Sequence, residues 1–337
     1  MRLIERVWFD GHKAKWLLVP ILLPLSALFW LVISIRRFCY QMGIKKSSKV
    51  SSPVVIVGNI GIGGNGKTPL TLFLIEQLMQ RGIKVGVVSR GYGGQAPYYP
   101  FQLSETATAD QVGDEPLLIY QRTGVDVVVG PDRVAAAKRL VELGCEIVIA
   151  DDGLQHYRLA RDYEFIVVDG RRTFGNKLLL PSGPMRETCA RLASVNCVVV
   201  NGELEGDLNV PFHHMNLLAQ RITNVATGES MSVTNFKQQH TKVNAIAGIG
   251  DPKRFFTTLI NNNFELAAER GFVDHQTYTE SMFTEFDESL PLVMTEKDAV
   301  KCTSFAKKHW WYLTVDATFT DHSKDRIIHD ILKLINH

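Results

Sequence analysis

The sequence predicts an α/β protein built on a mainly parallel sheet sandwiched by helices. Short runs rich in β-branched residues alternate with helical stretches from Val54 onward, as in a sheet whose strands are connected by helices. These runs are continuously apolar, which is typical of strands buried on both faces. A glycine-rich loop joins the first run to the first helix, and a separate apolar segment precedes both. These features predict a P-loop NTPase-like sheet, a second and smaller α/β lobe, a hairpin linker and an N-terminal membrane helix.

The composition is that of an ordinary folded protein. The chain has 337 residues, of which 45% are hydrophobic and 21% charged, and its formal net charge is +2. This length accommodates about two domains, and the near-neutral charge gives no indication of a nucleic-acid partner. The five cysteines include no C-x-x-C pair, which argues against a disulfide framework or a structural zinc site and favours a reducing compartment.

The segment Trp16–Ile35 contains twenty residues without a charge, about the length that crosses a hydrocarbon core as a helix. Pro20 and Pro24 interrupt its helical hydrogen bonds, and basic residues flank it on both sides, which also suits a helix lying in one leaflet. We therefore predict a membrane anchor and leave spanning and monotopic insertion open. A cleaved signal peptide fits poorly because the apolar run is long, and a buried core helix is the weakest alternative. The flanking basic residues are Arg2, Arg6, Lys13 and Lys15 before the segment and Arg36, Arg37, Lys45, Lys46 and Lys49 after it.

The rest of the chain divides into two α/β regions. A pair of alternating runs around a Thr-Gly-Glu turn, Arg221–Phe236, predicts a hairpin between them. The resulting domains are residues 1–45 (anchor), 46–220 (P-loop domain), 221–237 (two-stranded linker) and 238–337 (C-terminal α/β domain). The predicted strands are Val54–Val57, Val85–Val88, Val125–Val129, Ile147–Ala150, Phe165–Val168, Val198–Val200, Val243–Ala247, Leu292–Met294 and Trp311–Val315, and the predicted helices are Pro69–Gln80, Asp132–Leu143, Pro252–Asn261 and Lys324–Ile335.

The glycine-rich loop 61–68 fits G-x-x-x-x-G-K-[ST] at every fixed position. Glycines let backbone N–H groups approach a phosphate closely, and the N-terminus of the helix opening at Pro69 adds positive potential. We predict a nucleoside triphosphate site in which Lys67 reaches the β- and γ-phosphates and Thr68 ligates Mg²⁺. The predicted nucleotide-binding residues are Gly61, Gly63, Gly64, Asn65, Gly66, Lys67 and Thr68.

Two acidic pairs follow in the sequence. Asp151 and Asp152 end an apolar strand, where P-loop proteins place the carboxylates that hold Mg²⁺. Asp114 and Glu115 lie in a loop before Pro116. Neighbouring acids of this kind divide the tasks of accepting a hydroxyl proton and ligating a metal, or simply cap the helix that follows. The residues alone leave these two interpretations open.

The P-loop does not select among ATPases, GTPases and kinases. The nearest string to a guanine-reading motif, Thr295–Asp298, has the wrong spacing, which disfavours GTP. A membrane-attached switch ATPase acting on a protein partner remains the alternative to a kinase, whereas a kinase of soluble sugars leaves the anchor unexplained. Loop residues that could line an acceptor pocket are Arg90, Tyr92, Arg133, Gln155, His156 and Arg186.

Seven motifs together resemble the tetraacyldisaccharide 4'-kinase family of lipid A biosynthesis: GxGGxGKTP, SRGYGG, VGDEP, VGPDR, DDGLQH, GN-x-LLLPSGPMRE and VDH, which occur in the family's order between Val54 and Asp298. The resemblance implies an enzyme of the cytoplasmic (inner) membrane whose catalytic domain faces the cytoplasm. It implies transfer of the γ-phosphate of ATP, with Mg²⁺, to the 4'-hydroxyl of a tetraacylated glucosamine disaccharide 1-phosphate. The expected partners are this lipid and the membrane, with no obligate protein partner.

The resemblance also implies roles for individual residues. Asp114 is expected to act as general base, paired with His275, and Glu115 to ligate Mg²⁺. Asp151 and Asp152 are expected to be the Walker-B acids, with their division of labour open. Six residues become candidates for the sugar-phosphate site, namely Arg90, Tyr92, Arg133, Gln155, His156 and Arg186. Because His275 lies beyond the predicted linker, closure of the lobes is expected to complete the site.

Overall fold

The computed structural model describes residues 3–335, so that Met1, Asn336, His337 and the predicted flanking residue Arg2 lie outside the described range. Within it, thirteen strands form one sheet. The first seven are β1 (Val54–Gly58), β2 (Val85–Ser89), β3 (Phe101–Gln102), β4 (Asp126–Val129), β5 (Ile147–Asp151), β6 (Tyr163–Asp169) and β7 (Cys197–Asn201). The remaining six are β8 (His213–Asn224), β9 (Ser230–Ser232), β10 (Lys242–Ala247), β11 (Glu265–Gly271), β12 (Leu292–Thr295) and β13 (Trp310–Thr318).

Ten α-helices accompany this sheet in the described part of the chain. They are α1 (Leu3–Phe9), α2 (Lys15–Gln41), α3 (Lys67–Met79), α4 (Ala109–Val112), α5 (Asp114–Thr123), α6 (Arg133–Glu142), α7 (Val233–Gln239), α8 (Pro252–Asn261), α9 (Glu296–Ala299) and α10 (Asp321–Ile335).

The first lobe is a parallel sheet covered on both faces. Its strand order is β7-β6-β1-β5-β2-β4-β3, with only the two-residue β3 antiparallel to its neighbour. Strands β1, β2, β5, β6 and β7 are buried along their whole length, as their continuous apolar sequences predict. Apolar residues of α3, α5 and α10 pack on one face and those of α6 on the other. The predicted α/β sandwich is confirmed.

The two lobes share a single sheet through the long strand β8. It pairs in parallel with β7 over His213–Met215 and then antiparallel with β13 over Asn216–Asn224. The second lobe continues in the order β13-β12-β10-β11. Its edge strand β11 was not predicted because most of its residues are exposed, so its sequence has no apolar run. The proposed domain boundaries stay a prediction.

The predicted hairpin forms over a shorter stretch than expected. Arg221 pairs with Ser232 across β8 and β9, but the predicted second run does not continue as a strand to Phe236. It turns helical at Val233 because the side chain of Ser232 accepts the N–H of Asn235 as an N-cap. Val233 and Phe236 are three residues apart and both buried, which suits the inner face of a helical turn.

The apolar segment forms the long helix α2, which continues through Pro20 and Pro24. Ser26 is its only buried residue, and its hydroxyl donates to the carbonyl of Leu179 at 2.9 Å. One side of α2 therefore rests on the loop around Leu179, while most of its large apolar residues are exposed. Among the described residues, α2 is the one helix long and apolar enough to cross a membrane, judged by length and composition. Exposed apolar residues on it include Trp16, Leu17, Ile21, Leu25, Leu28, Trp30 and Val32.

Candidate active site

The phosphate loop occupies the predicted strand–loop–helix context. The buried strand β1 ends at Gly58 and α3 begins at Lys67. Gly66 has a φ of 96°, and a Cβ on it would lie 2.4 Å from Nδ2 of Asn201, so that only glycine fits. A distant segment also holds the loop in place, because the N–H of Ile62 donates to the carbonyl of Pro184 at 2.9 Å.

We expect Gly66→Ala to weaken ATP binding by tenfold or more, because the left-handed backbone costs about 1–3 kcal/mol with a side chain and the new Cβ displaces Asn201. Gly82→Ala is the matched control, since Gly82 also has a positive φ (77°) but no atom within 4 Å of the added Cβ. Calorimetric titration with ATP compares the two variants. Equal ATP affinity in both would show that the contact with Asn201 does not shape the loop.

The acidic pair after β5 lies beside the phosphate loop. Val57 of β1 pairs with Asp151 of β5, so both strands present their carboxyl ends at the same sheet edge. Asp151 is only 1% exposed, and neither of its carboxylate oxygens has a hydrogen-bond partner among the described residues. Burial, with the nearby charge of Glu115, raises its pKa to about 7. Asp152 lies 3.6 Å from Nζ of Lys67.

Asp114 and His275 meet across the two lobes. Asp114 opens α5, and its carboxylate oxygens lie 3.0 and 3.1 Å from Nδ1 of His275. His275 adopts a left-handed backbone with φ 60°, a conformation often retained at functional sites. The lobes thus already bring this pair into contact.

Charge in the surroundings sets the protonation of this pair. Burial opposes ionisation of Asp114, but the hydrogen bond from His275 and the charge of Lys297 outweigh it and hold the pKa of Asp114 below its usual value. Burial likewise disfavours the charged imidazole, yet the hydrogen bond to Asp114 raises the pKa of His275 above its usual value. Asp114 is therefore an ionised carboxylate near neutral pH and can accept a proton.

Sequence reasoning missed Lys297, which occupies the centre of this cluster. Its Nζ lies 3.0 Å from a carboxylate oxygen of Glu115 and 3.0 Å from one of Asp274. It also lies 3.9 Å from Oδ2 of Asp114 and 3.5 Å from Nε2 of His275. The one available signal was the string Thr-Glu-Lys-Asp, which in the sequence resembles only a guanine-reading motif with the wrong spacing.

A second missed cluster joins the lobes at the phosphate loop. Arg254 of α8 donates to Asp169 at 2.9 Å and to Asn201 at 2.8 Å, and Asn201 donates to the carbonyl of Asn65 at 3.1 Å. Arg172 pairs with Asp251 at 3.0 Å. No sequence motif marks these residues, because they are brought together only by the fold.

The six acceptor candidates surround the acidic pairs. Arg186 lies 3.2 Å from Asp152, and the ring of Tyr92 lies 5.0 Å from that of His275. Gln155 donates to the carbonyl of Asn59 at 3.1 Å and to Glu187 at 2.8 Å. The others are Arg90, Arg133 and His156.

Burial lowers the pKa of two of these candidates. It lowers the pKa of His156 to about 4, with further lowering by Arg133, so His156 is neutral at physiological pH. Burial also lowers the pKa of Arg133 to about 10, which leaves its guanidinium charged at physiological pH. Arg133 therefore contributes a positive charge to the acceptor side and His156 does not.

Most of these groups line one cleft of about 2450 Å³. Of the predicted site residues, only Gly61 and Asp151 do not line it: Gly61 forms a backbone bridge with Met185, and Asp151 is buried beneath Asp152 at the strand end. Residues of α2, including Trp30 and Ile33, also line the cleft. The phosphate loop and α2 therefore line the same cleft.

Known proteins match this chain over nearly its full length. The model of the tetraacyldisaccharide-1-P 4'-kinase family matches residues 18–333. The chain belongs to this family. It is 55% identical to the tetraacyldisaccharide 4'-kinase of Colwellia psychrerythraea, over 97% of this chain and 96% of that protein. It is 49% identical to that of Aliivibrio salmonicida, over 98% of this chain and 97% of that protein.

A solved structure supports the same assignment. The crystal structure of LpxK from Aquifex aeolicus in complex with ATP matches with a TM-score of 0.79 and 25% identity, covering 95% of this chain and all of that one. The family resemblance, the fold class and the ATP-dependent kinase activity predicted from sequence are thereby confirmed. The roles of individual residues in this 4'-kinase stay predictions.

Proposed function

We propose that this kinase holds ATP on the loop 61–68 and transfers its γ-phosphate to the 4'-hydroxyl of a tetraacylated glucosamine disaccharide 1-phosphate at the cytoplasmic face of the inner membrane. The observation that carries this proposal is the shared cleft, which is lined by Lys67, by the Asp114–His275 pair and by Trp30 of the anchor helix. A lipid whose acyl chains remain in the bilayer can present its sugar to such a cleft.

The residues divide the work of phosphoryl transfer, which depends mainly on positioning and charge stabilisation. Lys67 and the backbone N–H groups of its loop hold the phosphates and offset their charge. Asp114 accepts the proton of the attacking hydroxyl, and His275 orients the carboxylate through its Nδ1. The proton leaves the sugar oxygen as the new O–P bond forms and the bond to ADP breaks.

Mg²⁺ fits the residues at the edge of the sheet. The buried carboxylate of Asp151 lacks a hydrogen-bond partner, which is costly unless a cation or water satisfies it. The described residues contain no preformed cluster of three or more metal-binding side chains, in keeping with Mg²⁺ sites built from few carboxylates plus phosphate oxygens and water. Bound Mg²⁺ would neutralise charge on the β- and γ-phosphates. We propose Thr68, Glu115, Asp151 and Asp152 as the residues that hold it.

The acceptor side of the cleft suits an anionic sugar. Arg90, Arg133 and Arg186 all line it, and guanidinium groups recognise phosphate through paired hydrogen bonds. Gln155 and Tyr92 add polar contacts for sugar hydroxyls. We propose that these residues and His156 bind the disaccharide phosphate.

The exposed face of α2 provides the membrane contact. We expect Leu28→Glu to weaken binding to anionic vesicles by about 10- to 100-fold, because a charge placed in the apolar region of a bilayer costs about 2.5–3.5 kcal/mol. Ile260→Glu is the matched control, since Ile260 is 55% exposed in the second lobe and Leu28 is 58% exposed on α2. Vesicle co-sedimentation measures both. Equal losses in the two variants would contradict a membrane contact through α2.

Acceptor dependence tests the proposed reaction. Purified kinase receives γ-labelled ATP with the tetraacylated disaccharide 1-phosphate, with the same lipid already phosphorylated at the 4' position, or without lipid. We expect label in the lipid only with the free 4'-hydroxyl. ATP hydrolysis that is independent of the lipid and is stimulated by a protein partner would instead support a switch ATPase.

A further inference from the structure

Lys297 lies at the junction of the lobes and has no role in the mechanism above. Its side chain is 14% exposed, and it belongs to the short helix α9, whose start is fixed by Thr295 accepting the N–H of Asp298. The position of Lys297 is therefore set by a local cap as well as by its charged partners.

The ammonium group bridges carboxylates from both lobes. Glu115 belongs to the first lobe and Asp274 to the second, and each has an oxygen 3.0 Å from Nζ. Lysine has three N–H donors and no acceptor. Two of these donors face the carboxylates, and the cation offsets repulsion between them.

The geometry around His275 assigns the proton on each ring nitrogen. Nδ1 faces the carboxylate of Asp114 at 3.0 and 3.1 Å, and an ionised carboxylate only accepts, so Nδ1 carries a hydrogen. Nε2 faces Nζ of Lys297 at 3.5 Å, and an ammonium only donates, so Nε2 presents its lone pair.

Among residues 3–335, Asp274 is the one carboxylate recorded beside Nε2 that could accept a proton from it. Its Oδ1 lies 3.8 Å from Nε2, but the same oxygen lies 3.0 Å from Lys297. The ring of Tyr92 also lies beside that of His275, with 5.0 Å between the ring centres and an angle of 63° between the planes. Lys297 therefore opposes a proton on Nε2 in two ways, by facing it with donors and by engaging Asp274.

We propose that Lys297 is a positioning residue that disfavours a hydrogen on Nε2 of His275, so that the ring keeps its hydrogen on Nδ1 and donates it to Asp114. This inference rests on the proposed role of Asp114 as base. His275 then orients the carboxylate, and the proton taken from the acceptor hydroxyl stays on Asp114 until the product leaves. A ring held in this form does not relay the proton through Nε2.

The test is Lys297→Met, with ¹⁵N-histidine NMR of the full-length kinase in detergent and the signal of His275 identified by its loss in His275→Asn. At a pH above the raised pKa of the ring, wild type should show the Nδ1–H form. Lys297→Met should gain a proton on Nε2, because Asp274 is released to accept it. Turnover should fall by about 10- to 100-fold, as for other residues that orient a histidine, while KM for ATP changes by less than about threefold. Lys297→Arg should retain the wild-type ring form, since arginine also only donates.

Lys301→Met controls for the loss of a buried lysine four residues later, in the turn that follows α9. Lys301 pairs with Asp298 at 2.8 Å, so this variant should lower Tm yet keep the ring form of His275. An Nε2–H tautomer in wild type above the pKa of the ring, or an unchanged ring and turnover in Lys297→Met, would overturn the inference. Wild-type acceptor-dependent transfer is measured in parallel, so its absence would refute the proposed function itself.

Discussion

Asp114→Asn should lower kcat by roughly 10²–10⁴ while ATP affinity stays near wild type. The amide matches the carboxylate in shape but cannot take the proton of the acceptor hydroxyl, and Asp114 lies outside the loop that holds the phosphates. Steady-state kinetics with the lipid acceptor and calorimetric ATP titration measure the two quantities separately.

Asp110→Asn supplies the matched control, because Asp110 is an exposed carboxylate four residues earlier in the chain. The double variant Asp114→Asn/His275→Ala should lose little more than Asp114→Asn alone, since groups that act as a unit are not additive. Turnover in Asp114→Asn within about threefold of wild type would remove this residue from the base role.

Lys67→Met should reduce kcat/KM for ATP by roughly 10²–10³, the range seen when one donor to developing charge is removed. The side chain of Lys67 is 12% exposed and its nearest acidic partner is Asp152 at 3.6 Å. Its removal therefore leaves phosphate charge uncompensated in a partly desolvated site. Initial rates over a range of ATP concentrations give the value.

Lys242→Met provides the comparison for Lys67→Met. Lys242 is 50% exposed and pairs with Glu265 at 3.4 Å, an ion pair of little energetic consequence. Its loss should leave turnover unchanged. Comparable losses in the two variants would show that Lys67 acts through overall charge and not through the phosphates.

Short patterns in the sequence predicted the strands and helices, because the burial of each element determines which residue types suit its own positions. The predicted strands of the first lobe agree with the structure within two residues at each end, since each is a continuous apolar run buried on both faces. The failures have equally local causes. Strand β11 is exposed at the edge of the sheet, and Ser232 caps a helix where alternation predicted a strand.

The candidate site could be predicted in part. The phosphate loop was recognisable because its eight residues are contiguous and its chemistry needs glycines at set positions. The residues alone offered Asp114 as one of two acids that could accept a proton, but its pairing with His275 came only from the family resemblance, because 161 residues separate the two. Lys297 was missed because its significance depends on three carboxylates and a histidine that no spacing rule connects.

Contiguous residues already specified a P-loop motif, a buried parallel sheet and a long apolar helix, since hydrophobic burial and backbone conformation act over a few neighbouring positions. The fold alone decided that Asp151 is buried without a hydrogen-bond partner, that Lys297 lies between the two lobes, and that the phosphate loop and α2 border one cleft. These features depend on how distant segments pack, and packing distances are set by the whole core and not by any one stretch of chain.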